Sequence, residues 1–90
     1  MCRNIKTLFN YDPPTTEEEI HASAVQFVRK ISGFRVPSKA NEAAFDKAVA
    51  DITSVADQLL QTLETSAAPR NREMEVAKRK QQAARRFAQN

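Results

Sequence analysis

The sequence predicts an all-α protein built from a short N-terminal segment, an antiparallel helix pair and a basic C-terminal helix. Three observations carry that expectation. The ninety residues include a single Gly and no Trp, and they are rich in Ala, Gln, Glu and Lys, a composition that favours helices over strands. Apolar residues recur at helical spacing in two long stretches. Helix start and stop signals bound the first of them.

The segment before the first helix carries Ile5, Leu8 and Phe9, which can pack onto a helix pair, and Pro13 and Pro14 keep it from being helical. Thr16 with Glu19 three residues later fits a capping box, and Glu17, Glu18 and Glu19 crowd the positive end of the helix dipole. From there Ile20, Ala24, Phe27, Val28 and Ile31 share an arc of about 100°. Gly33 supplies the left-handed residue that ends such a helix, and Phe34 is placed to fold back on Val28. Phe34 to Pro37 reads as a turn, with Ser38 as N-cap of the second helix.

That second helix, 38–64, is the strongest pattern in the chain. Phe45, Ala48, Val49, Ile52, Val55, Ala56, Leu59, Leu60 and Leu63 lie within an arc of about 140°, centred on Phe45, Ile52 and Leu59. At 1.5 Å per residue it would reach about 40 Å, further than the first helix can cover, which leaves an apolar remainder exposed. Thr65 to Pro69 breaks the pattern, and a weakly apolar amphipathic helix is expected from about Asn71 to Ala88. Residues 1–69 then form a helical core domain and residues 70–90 a basic C-terminal helix or tail.

Composition narrows the function classes. A domain of this length buries only about 60% of the surface its unfolded chain exposes, which leaves no room for a deep catalytic cleft. One cysteine cannot close an internal disulfide, no signal-peptide-like apolar run opens the chain, and no stretch approaches the roughly 18 apolar residues of a membrane span. The expectation is a cytoplasmic protein that does not engage a membrane. Net charge is +3, but residues 70–90 hold seven Lys and Arg against two Glu, a net of +5, which leaves −2 for residues 1–69. Such asymmetry accompanies anionic partners as well as solvated basic helices.

Candidate sites follow from these patterns. Cys2 and His21 are the chain's thiol and imidazole, hence the candidates for nucleophile and base, although no Cys/His signature or Gly-rich loop accompanies them. One Cys and one His leave two ligands of a zinc site to be found among carboxylates, none at suitable spacing, so neither a metal nor another cofactor is expected. Arg29, Lys30, Arg35, Ser38 and Lys39 bracket the start of the second helix, where free N–H groups already favour an anion. In the tail, Arg72, Lys78, Arg79, Arg85 and Arg86 occupy one arc that can neutralise phosphates without reading bases.

Several stretches form a specific combination: M-C-R-N-I-K-T-L at residues 1–8, P-P at 13–14, A-V-Q-F-V-R-K-I-S-G-F at 24–34 and P-S-K-A-N-E-A-A-F-D-K-A-V at 37–49. In these the chain resembles the bacterial domain-of-unknown-function family 2277. The resemblance implies a short single-domain protein and transfers no catalytic residues. The leading expectation is a non-enzymatic helical binding module that holds RNA or DNA backbone through its basic turn and C-terminal helix. The alternative is a homo-oligomer or protein-binding module that uses the exposed apolar part of helix 38–64. Thiol chemistry centred on Cys2 is the third.

Overall fold

The computed structural model describes residues 5–88, with side chains described as far as Arg85. Three α-helices dominate these residues: α1 (Glu17–Ser32), α2 (Glu42–Thr62) and α3 (Arg72–Ala88). A single turn of 3-10 helix, Lys39–Asn41, precedes α2. Two short strands, β1 (Tyr11–Asp12) and β2 (Arg70–Asn71), pair in parallel with Tyr11 opposite Arg70 and Asp12 opposite Asn71.

Local signals set the bounds of α1. The Thr16 side chain accepts from the Glu19 N–H at 3.2 Å while the Glu19 carboxylate accepts from the Thr16 N–H at 3.1 Å, a complete capping box. Gly33 stops the helix at φ 76°, where a Cβ would be strained, and its N–H donates to the Arg29 carbonyl. The second helix begins later than the sequence suggests. Ser38 starts the 3-10 turn and makes no side-chain cap; its Oγ accepts from Asn41 Nδ2 at 2.9 Å, so α2 proper opens at Glu42 and ends at Thr62. At 1.5 Å per residue its 21 residues span about 32 Å, against the 40 Å expected of 38–64. For α3 the cap is Asn71, whose Oδ1 accepts from the Met74 N–H at 3.0 Å.

The pair α1 and α2 runs antiparallel: Ile20 near the start of α1 meets Leu60 near the end of α2 across one cleft, and Val28 shares another with Phe45. Ala24, Val28 and Val49 form the core cluster, with Val25, Phe45, Ala48 and Ile52 packed against it and Ile20 buried as well. Thr53 is also buried, its hydroxyl satisfied by the Val49 carbonyl at 2.6 Å. The side of α2 that faces α1 therefore centres on Val49, Thr53, Ala56 and Leu60, rotated by about 50° from the middle of the apolar arc. Leu59, expected near that middle, is 53% exposed.

From the N-terminal segment, Leu8 and Phe9 line one cleft together with Ile20 and Leu60. Helix α3 behaves differently. Its described side chains are exposed apart from half-buried Arg72 and Glu75 in the first turn. The resulting shape is open: the radius of gyration is 16.0 Å, where a compact chain of this length has about 12 Å.

Candidate functional site

The site is the junction that fixes the basic helix. Asn10 adopts φ 64°, the left-handed conformation Asn tolerates better than most residues. That turn aims its carbonyl at the Arg70 N–H, 2.7 Å away, and its Nδ2 at the Ala68 carbonyl, 3.2 Å away. Thr15 Oγ1 donates to the Leu8 carbonyl and ties the loop to itself. The β1–β2 pairing then delivers Arg72 to the N-terminus of α1.

Arg72 forms a four-point clamp. Nη1 and Nη2 donate to the two Glu19 carboxylate oxygens at 2.9 and 2.8 Å, Nε donates to the Pro13 carbonyl at 2.8 Å, and Nη2 also reaches the Pro14 carbonyl at 3.0 Å. The planar guanidinium suits a bidentate carboxylate in a way that a lysine would not. The proline carbonyls are available because residues 13 and 14 lie outside any helix or strand. Tyr11 completes the junction, with the Arg72 and Arg70 guanidinium carbons 5.5 and 5.9 Å from its ring centre. Hydrogen bonds from Arg72, and then the Thr16 N–H, hold the Glu19 pKa down at about 2 against an ordinary 4.5. Glu19 thus serves the cap and the clamp together.

Above the clamp lies a cleft of about 40 Å³ lined by Lys6, Thr7, Tyr11, Arg72, Val76 and Arg79 among others. It has room for a few waters. Arg79 and Lys6 add positive charge there, and Glu75 forms no ion pair with Arg79 among the described residues. Lys78, Lys80 and Arg85 stand exposed further along α3. The structure thus separates the predicted tail residues: Arg72 is committed to the clamp, Lys78, Arg79 and Arg85 are open to solvent, and the Arg86 side chain lies outside the described residues.

At the turn between α1 and α2, three of the five predicted residues meet. Arg29, Lys30 and Arg35 line a shallow groove with Gln26 and Gly33, and Arg29 Nε is buried with no hydrogen-bond partner among the described residues. Ser38 and Lys39 are not in the lining of that groove. His21 is exposed beside Glu17, Glu18 and Thr53, and Cys2 lies outside the described residues. Among the described residues no three His, Cys, Asp or Glu side chains converge on a metal-sized site, and no helix is long and apolar enough to cross a membrane.

Sequence reading missed Glu19, Tyr11 and the proline carbonyls as parts of one junction. Glu19 was legible only as a cap, because its second partner is 53 residues away. The weak signal was an Arg three residues after Pro69, in a chain whose one proline pair, at 13–14, offers two carbonyls outside any helix.

Compared with known proteins, residues 1–78 match a family model described as an uncharacterized conserved protein (DUF2277). No curated protein and no solved structure matches.

Proposed function

The chain belongs to the DUF2277 family, whose description names no activity, and we propose that it is a non-enzymatic module that holds a nucleic-acid backbone. One observation carries this reading: the basic helix is fixed at its base and exposed along its length. Arg72 spends its charge on Glu19, so the clamp sets the direction of α3 without occupying the cations beyond it. Lys78 and Arg85 lie two turns apart on one arc, about 10 Å along the axis, with Arg79 beside them. Exposed cations on one arc neutralise phosphates and release counterions, and they carry no sequence information. The groove of Arg29, Lys30 and Arg35 gathers three further cations and supplies a second anion contact.

The test is a titration of the full chain with single-stranded RNA and with duplex DNA at low salt. Binding should weaken as salt rises, with a log–log slope of about −0.7 to −0.9 for each phosphate neutralised. The triple change Lys78→Glu, Arg79→Glu and Arg85→Glu should abolish binding and leave helix content unchanged, since all three side chains are exposed. No binding at tens of micromolar protein in low salt would sink this reading.

A further inference from the structure

The junction at the base of α3 carries two neighbouring clefts of opposite character. The smaller, lined from α3, holds Lys6, Arg72 and Arg79, with Glu19 paired to Arg72. The larger, about 310 Å³, is lined from α2 by Asp57, Leu60 and Gln61 and from the N-terminal loop by Phe9. Leu8, Tyr11 and Thr15 line both, so one aromatic side chain stands between the cations and the carboxylate. In the larger cleft the polar groups of the loop are engaged: Thr15 Oγ1 donates to the Leu8 carbonyl and Asn10 Nδ2 to the Ala68 carbonyl. Half-buried Asp57 accepts from Gln61 Nε2 at 3.1 Å, and a carboxylate with about four lone-pair sites has acceptor capacity left after one such bond.

We propose that this junction seats one unpaired nucleotide of the strand that α3 holds, with its phosphate at Lys6 and Arg79 and its base in the cleft of Phe9, Tyr11 and Asp57. The proposal rests on the nucleic-acid reading and specifies the state of the strand, because a base enters such a cleft only when it is unpaired. Complementarity selects the occupant. It must be anionic at one end and, at the other, flat, apolar on its faces and edged with N–H groups. A nucleotide is built that way, whereas an organic cation that satisfied Asp57 would meet Lys6 and Arg79 next to it.

Size and continuity agree. The larger cleft is at the lower end of the roughly 300–1,000 Å³ typical of small-ligand sites, while the smaller, at about 40 Å³, takes a few water-sized atoms, which suits phosphate oxygens. Arg79 belongs both to the cation arc of α3 and to the smaller cleft, so a backbone that follows Arg85 and Lys78 toward the base of the helix arrives at the junction. There Phe9 and Tyr11, both half-buried, supply the aromatic surface on which single-strand binders stack a base. Asp57 repels phosphate, which fixes the direction of entry: backbone outside, base inside.

The test titrates the full chain with a single-stranded oligonucleotide of about 12 nucleotides, an abasic strand of the same length, and the duplex, all at one salt concentration. Tyr11 is the only Tyr in a chain without Trp, so tyrosine emission reports on the cleft. The intact strand should quench it and bind about tenfold tighter than the abasic strand, the scale of one stacked base; the duplex should bind without quenching. Phe9→Ala should erase the difference between the two strands. Asp57→Ala is the sharper variant and leaves the apolar walls in place. Removing a negative charge strengthens the binding of a polyanion to a bare surface, yet here it should weaken the intact strand several-fold and spare the abasic one. Equal affinity for intact and abasic strands overturns the proposal and leaves the backbone reading standing, as does an Asp57→Ala chain that binds the intact strand as tightly as the wild type or more so. If neither the strands nor the duplex bind, both readings fall together.

Discussion

The helix pair and the C-terminal helix are held by different physics. Between α1 and α2 the glue is apolar: Ala24, Val28 and Val49 interlock, and the one buried hydroxyl, on Thr53, bonds inside its own helix. Between α3 and the rest it is polar: a guanidinium, a carboxylate, two proline carbonyls and an aromatic face. Apolar contact is non-directional and insensitive to pH and salt, whereas the clamp requires geometry and ionisation. A small protein can thus carry a fixed domain and an arm whose attachment responds to solution conditions, with no second core.

The largest effect expected from breaking this contrast lies in the pair. Val49→Asp places a carboxylate in the middle of the core cluster and should cost about 4 kcal/mol or more, enough to unfold the chain. Ile52→Ala should cost about 2 kcal/mol, the low end for such truncations, because Ile52 is only half-buried in one chain. Urea unfolding measures both. An Ile52 value near 4 kcal/mol would mean that more of its side chain is covered than a single chain shows.

A smaller, conditional effect belongs to the clamp. Glu19 holds a pKa of about 2 in the folded chain against 4.5 ordinarily, so its contribution is complete above about 4.5 and is lost as the pH falls toward 2. Tyr11 is the only Tyr in a chain without Trp, and its ring lies beside Arg72. Its fluorescence should therefore change in that acid window while the helix signal of the pair persists. Glu19→Gln should bring the change on at neutral pH, and high salt should mimic it in part. Fluorescence that follows global unfolding at every pH would mean that the arm is not a separable unit.

The smallest effect is expected at Lys47. Its pair with Asp51 spans one helical turn at 2.5 Å, but the two side chains are 76% and 62% exposed, and such pairs add little. Lys47→Ala should leave the urea midpoint unchanged within error. A measurable loss would place Lys47 at a contact that a single chain does not show.

How much of this was legible depends on how far apart the partners are. Thr16 with Glu19, and Gly33 at the helix end, were readable because each cap is closed by residues within four positions. Ser38 was misplaced as the cap of α2, since the same residue type serves equally well before a 3-10 turn, and Asn41 took its hydroxyl. The apolar arc of α2 was legible, but which side of it α1 would cover was not. Thr53 entered the core and Leu59 stayed out because the crossing of two helices, not the apolar pattern of one, selects the buried stripe.

By itself the sequence determined the helical class, the order of the three helices, the capping of α1 and the concentration of positive charge after Pro69, since these are consequences of local periodicity and composition. Tertiary structure decided that Arg72 belongs to the framework while Lys78, Arg79 and Arg85 remain open, and that Phe27, Ile31, Val55 and Leu59 stay exposed. A guanidinium looks the same in sequence whether it meets a phosphate or a carboxylate. Its role is set by what the fold brings within about 3 Å of it, and for Arg72 that partner comes from the other end of the chain.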